Sequence, residues 1–284
     1  MLVAVCSLKG SPGVTTLATA LGARWPVAEN PIVVEADPAG GDLMARFRLN
    51  DSPGLVSLAA AARRSTDATL LAQHTQYLPG GLRVVLGPVG AEQSRAALCA
   101  LTSGGTSPLR RAADVPGTTV IVDCGRVDPE SPVLPILRGA DAMLLVARPR
   151  DEQLAHVALK LRAAQGWSRR PCFVLVGEGY PTREVSQALG IAVMGRVPRD
   201  DKGAAVLCGQ RSDRHGPDRS ALGQAAATLA ASVLTHWSAA THHVAPVTAA
   251  PLVAPPQAVT PHDSVSGPAL RPLRVAPTRN GVSS

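Results

Sequence analysis

The stretch SLKGSPGVTTLATAL, residues 7–21, decides how the rest of the chain is read. It follows a short apolar run, Leu2–Ser7, and passes through two glycines and a proline into a threonine pair. It then enters a Leu- and Ala-rich segment that reads as a helix over Val14–Arg24. A glycine-rich turn opening into a helix leaves backbone N–H groups unpaired at the positive end of the helix dipole. Such a turn holds phosphate without any side-chain charge. Loops of this kind keep a lysine just before the first threonine, and here that position is Val14. A hydrogen bond to a charged group contributes about 1.5–3 kcal/mol, so a single missing lysine predicts weaker phosphate binding rather than none.

The same logic of apolar runs and small-residue breaks extends along the chain. Strands are expected at Pro31–Ala36, Leu82–Leu86, Thr118–Asp123, Ala142–Ala147, Cys172–Val176 and Ile191–Val197. Helices are expected at Gly54–Arg64, Asp67–His74, Ala91–Leu101, Pro132–Arg138, Asp151–Gln165, Thr182–Leu189 and Arg219–Trp237. The strands are continuous apolar runs rather than alternating ones, as in strands covered on both faces. Regular alternation with helices predicts an α/β domain over residues 1–238, a doubly wound and mostly parallel sheet with helices on both faces. In such sheets ligands sit beyond the carboxyl ends of the strands, where the loops KGSPGVTT, DPAGGD and DCGR fall. Residues 239–284 differ: eight prolines are spaced among Ala, Val and Thr with almost no charge, which predicts a disordered tail.

Composition bounds the function. Of 284 residues 45% are hydrophobic but only 2% aromatic, so the core must be built from Val, Leu, Ile and Ala. No apolar run approaches the roughly 20 residues of a membrane span, and MLVAVCSLKG lacks the basic start of a signal peptide. Five cysteines form no C-x-x-C pair and read as mostly buried thiols, which points to the cytoplasm. The net charge of +7 invites a nucleic-acid reading. The excess is spread thinly, however, with 14 basic against 12 acidic residues in 1–150, 11 against 8 in 151–220, and 3 against 1 beyond. Non-specific DNA binding is therefore weakly supported.

Taken in order, KGSPGVTTLATAL, VVEADPAGGDL, VIVDCG, ADAMLLVARP and GRVPRDDKGAA resemble the ParA/MinD group of P-loop ATPases over nearly all of residues 1–237. That group has a deviant phosphate loop, K-G-G-x-G-K-T-T. The resemblance implies ATP and Mg2+ as cofactors and a homodimer formed on nucleotide. It implies that Lys9 is the signature lysine, acting on the partner's phosphates, and that Gly10, Ser11, Pro12, Gly13, Val14, Thr15 and Thr16 cradle the nucleotide. Thr15 and Asp123 would serve the metal, Asp123 through water, and Asp37 would orient the attacking water. Glu35 stands where many members have a further aspartate. The plainer alternatives are a surface lysine for Lys9 and a turn former before proline for Asp37.

Hydrolysis needs positive charge on the γ-phosphate, and with Val14 in the loop slow or lost ATPase activity is expected. A loop lacking its lysine resembles the CpaE/TadZ-type branch, whose members place pilus and secretion machinery. The first expectation is therefore a cytoplasmic protein, held at the membrane periphery or cell pole, that positions or regulates an assembly through protein partners and ATP-dependent dimerisation. A DNA- or plasmid-partitioning ATPase and a pseudo-ATPase adaptor are the alternatives.

Overall fold

A computed structural model describes residues 1–10, 12–103, 105–168, 171–211 and 216–241. Ser11 of the expected loop, and the expected tail from residue 242 onward, lie outside the described residues. The chain begins with β1 (Leu2–Ser7), which leads through the loop into α1 (Val14–Arg24) and on to β2 (Pro31–Glu35). Three short helices follow, α2 (Leu43–Phe47), α3 (Leu55–Ala62) and α4 (Leu70–Gln73), then the strand pair β3 (Gln76–Tyr77) and β4 (Arg83–Val85). Next come α5 (Ala91–Thr102), α6 (Pro108–Ala113), β5 (Thr119–Arg126), α7 (Leu134–Gly139) and β6 (Ala142–Ala147). The domain closes with α8 (Asp151–Gln165), β7 (Pro171–Val176), α9 (Thr182–Leu189), β8 (Val193–Val197), α10 (Asp201–Leu207) and α11 (Ala221–Thr241).

Among the described residues the sheet has eight strands in the order β3-β4-β2-β5-β1-β6-β7-β8. All neighbours are parallel except β3 and β4. The expected doubly wound α/β sheet is thus the observed one. From β1 the chain winds outward to one edge, returns through β5, and then winds to the other edge from β6. The loop after β1 therefore sits at the switch point, where crossover helices leave in opposite directions and open a crevice.

Strand side chains alternate between faces. Leu2, Ala4, Cys6 and Leu8 join one core layer with Ile32, Val34, Leu98, Leu109 and Val157. Val3 and Val5 join the other, with Val33, Ile121, Leu17, Leu21 and Val233. The central strands β1, β2, β5 and β6 are buried on both sides, which is why their runs are apolar without a break. Cys6, Cys124 and Cys172 are buried, Cys99 is exposed and Cys208 lies between. Among the described residues no helix is long and apolar enough to cross a membrane.

Candidate phosphate-binding site

The loop turns on two glycines in the left-handed region, Gly10 at φ 67° and Gly13 at φ 97°. Side chains adopt that region only at a cost. Gly13 is the N-cap of α1, no side chain caps the helix, and its first turn carries no acidic residue. The leading N–H groups of α1 are thereby left for an external acceptor. Val14 is only 6% exposed and packs in the same core layer as Leu17, Ala18 and Leu21. Position 14, where a lysine was expected, is thus the first residue of the apolar stripe of α1, spaced i, i+3, i+4, i+7. Lys9 is exposed.

Asp123 is completely buried at the end of the apolar run in β5. Ile121, two residues earlier, belongs to the core layer of α1, so alternation sends the Asp123 side chain to the head of that helix. Its Oδ1 accepts the Gly125 N–H at 3.0 Å. Its Oδ2 is buried with no hydrogen-bond partner among the described residues. Burial pushes the Asp123 carboxyl up to about 7; the Thr15 hydroxyl and the Gly125 N–H pull it down, while Glu35 and Asp37 push it further up.

Glu35, level with Asp123 on the neighbouring strand, is fully committed. Oε1 accepts the N–H groups of Asp42 at 2.7 Å and Leu43 at 3.0 Å, and Oε2 accepts that of Gly87 at 3.0 Å. Burial pushes its carboxyl up against these three donors. Glu35 therefore staples the loop after β2 to the loop after β4. Glu35→Gln turns an acceptor into a donor facing N–H groups. It is expected to cost about 1–3 kcal/mol, the price of one unmet buried group, read as a lower midpoint in urea unfolding with an unchanged slope.

That stapled loop carries Asp37. Its Oδ1 accepts the Ala39 N–H at 2.8 Å, and its backbone carbonyl accepts the Ser94 hydroxyl at 2.6 Å. Burial pushes the Asp37 carboxyl up. A Cβ on Gly125 would fall 2.1 Å from its Oδ2, so Asp37 lies directly against the backbone that follows Asp123. One extra residue in β5 after Asp123 shifts the β1–β5 register, Val5 pairing Asp123 but Ser7 pairing Arg126. This bulge, with Gly125 at φ 57°, makes room for the carboxylate.

A cavity of about 800 Å³ opens from the other side of the loop. Pro12, Gly13, Thr16 and Leu17 form one wall, and the ends of β6, β7 and β8 form the opposite one. Thr16 lines this cavity, its hydroxyl 3.6 Å from Cys208 Sγ. Thr15 and Thr16 thus separate, one toward Asp123 and the other toward the cavity. Asp200, also at the wall, is already used: it accepts N–H groups of Gly203 at 2.8 Å and Leu222 at 3.1 Å, which holds its carboxyl below the usual range.

This is the fold of the ParA and MinD ATPases. A ParA family ATPase from Chlorobium tepidum superimposes with a TM-score of 0.64 at 17% identity, over 81% of this chain and 98% of that one. The septum site-determining protein MinD from Pyrococcus horikoshii, solved with Mg-ADP, gives 0.57 at 17% identity, over 82% and 95%. A cobyrinic acid a,c-diamide synthase from Mycobacterium smegmatis, solved with ADP and magnesium, gives 0.55 at 19%, over 84% and 96%. No protein-family model matches the sequence, and no curated protein matches it. One fold here accompanies both positioning proteins and a synthase, so function is argued from the site.

The residues fit a magnesium nucleotide. Thr15 and Asp123 offer hard oxygen donors, which suit Mg2+, and the unpartnered Oδ2 of Asp123 lacks only a donor or cation. Among the described residues no cluster of three His, Cys, Asp or Glu side chains forms a metal cage by itself. Magnesium commonly draws its remaining ligands from phosphate and water. Sequence reasoning missed the staple made by Glu35, although a glutamate ending an apolar strand was a readable signal.

Proposed function

We propose that this chain is a nucleotide-dependent dimerising protein of the ParA/MinD type that binds ATP-Mg at residues 9–16 and hydrolyses it slowly. The observation that carries the reading is the buried Asp123 Oδ2 with no partner, beside Thr15 and the uncapped start of α1. The main-chain amides of the loop hold the phosphates, Thr15 and Asp123 serve the metal, and Asp37 orients water. When bound, the metal would neutralise phosphate charge. Val14 faces the core and contributes no charge, so the exposed Lys9 completes the site of a second copy. Dimerisation then reports nucleotide occupancy to partner proteins. Together with the lost in-loop lysine this supports a CpaE/TadZ-like role in positioning or regulating a pilus, secretion or cell-pole assembly.

The test measures ATP-Mg binding, turnover and sedimentation of the full chain. Binding with feeble turnover and nucleotide-dependent dimers is expected. Lys9→Ala should keep binding and lose the dimer. Val14→Lys should tighten ATP-Mg by roughly tenfold to a hundredfold, since one charged hydrogen bond contributes about 1.5–3 kcal/mol and the lysine stem can follow the apolar stripe while its ammonium emerges. Rapid turnover stimulated by DNA would replace this reading with a partitioning ATPase. No binding at millimolar ATP-Mg would leave a pseudo-ATPase adaptor.

A further inference from the structure

The wall of the cavity opposite the loop carries four arginines and three carboxylates. Arg148, Arg150, Arg196 and Arg199 line it, against the carboxylates of Glu178, Asp200 and Asp201. These charges are not equivalent. Arg199 is paired with Asp201 at 3.1 Å, and Asp200 is held by backbone N–H groups. Arg196 donates to the carbonyls of Gly177, at 2.6 Å, and Tyr180. Those acceptors are neutral, so its positive charge remains while its position is set; it holds the loop after β7 in place.

Arg148 and Arg150 differ in placement. They flank Pro149 in the turn that leaves β6, and both are exposed. The turn is closed by the Arg150 N–H on the Arg148 carbonyl at 2.8 Å and the Arg148 N–H on Gln153 Oε1 at 3.2 Å. β6 is the direct neighbour of β1, Cys6 pairing Leu145, so this turn leaves the sheet beside the phosphate loop. The first turn of α8 touches that loop: a Cβ on Gly10 would lie 3.6 Å from Gln153 Nε2. Arg148 and Arg150 thus leave the strand adjoining the loop and line the cavity that the loop walls. Lysine is scarce here; Lys9, Lys160 and Lys202 are the chain's three among 28 basic residues.

We propose that Arg148 and Arg150 supply, in cis, the positive charge toward the polyphosphate of a bound nucleoside di- or triphosphate that Val14 cannot supply. The inference rests on the nucleotide-binding reading above. Guanidinium suits the task because its planar fork donates two parallel N–H bonds to phosphate oxygens and stays charged at all relevant pH. A cation borne on the β6 turn rather than in the loop also leaves Val14 free to complete the core stripe of α1.

The experiment is a ligand series of AMP, ADP and ATP, with magnesium, titrated calorimetrically against the wild-type chain, Arg148→Gln/Arg150→Gln and Arg148→Lys/Arg150→Lys. The glutamine pair is expected to lose at least tenfold in affinity for ATP, less for ADP and little for AMP, with a shallower dependence on salt. The lysine pair, which keeps the charges but not the bidentate fork, should fall between the wild type and the glutamine pair. Both arginines are exposed, so unchanged thermal unfolding is the control for folding. Equal affinity of wild type and the glutamine pair for ATP would overturn the proposal while leaving nucleotide binding intact. So would an equal loss for AMP, ADP and ATP, which would place the arginines on base or ribose. A wild-type chain that binds none of the three would overturn both readings.

Discussion

Asp123→Asn is expected to move two measurements in opposite directions: magnesium-dependent nucleotide binding falls, and the stability of the metal-free protein at pH 8 rises. The first follows from the role proposed for the carboxylate in serving the metal. Groups that support a metal without being its sole ligands typically change affinity by roughly 10–100-fold when altered, and nucleotide titrations with and without Mg2+ should converge in the variant. The second follows from burial. The folded carboxyl titrates at about 7, against an ordinary value of 3.8. Between those values the folded state keeps a proton that the unfolded chain releases, so stability declines as pH rises through that window and the full penalty persists above pH 7. Three units correspond to on the order of 4 kcal/mol, and an asparagine amide with an unmet partner takes back about 1–3 kcal/mol. A net gain is expected. Thermal unfolding without metal from pH 5 to 8.5 tests it: the wild-type midpoint should drop as pH rises, and the variant should be flatter. Glu35 and Asp37, also raised by burial, leave a residual slope of the same sign. A variant as pH-sensitive as wild type, or one whose binding still responds to magnesium, would refute the assignment.

Gly125→Ala is expected to be strongly destabilising for a change of one methyl group. Gly125 has φ 57°, where an L-residue costs about 1–2 kcal/mol, and its new Cβ would meet Asp37 Oδ2 at 2.1 Å. Forced repacking adds about 1–3 kcal/mol. Asp37 is held by the Ala39 N–H, and the staple from Glu35 fixes its loop, so the carboxylate has little room to retreat. Any nucleotide turnover should vanish along with the stability. Gly80→Ala is the matched comparison: its φ is 91° but nothing lies within 4 Å of the added Cβ. Backbone strain alone should then appear, and the difference between the two urea midpoints isolates the clash. Equal losses would mean that Asp37 is not packed against the strand end.

Much of the fold was legible because its elements announce themselves locally. β1, α1, β6, α8 and α9 fall at the bounds expected from apolar runs, glycine breaks and helical spacing, since these are properties of a few neighbouring residues. The short helices α2, α6 and α10, of five to seven residues, were missed; they are too brief to show a full apolar period. β3 was missed because two residues, Gln76 and Tyr77, become a strand only by pairing with Val84 and Arg83 of β4. The sequence by itself determined the alternating α/β class, the phosphate-loop shape and the absence of charge at position 14. Only the tertiary structure decided that Val14 lies in the core, that Asp123 Oδ2 is stranded beside Thr15, that Glu35 ties two loops together, and that Arg148 and Arg150 share a cavity with the loop. The reason is one of range: backbone propensity and periodicity are set within a turn or a strand, whereas the surroundings of a buried charge depend on which strands become neighbours, and the crossovers bring together residues more than a hundred positions apart.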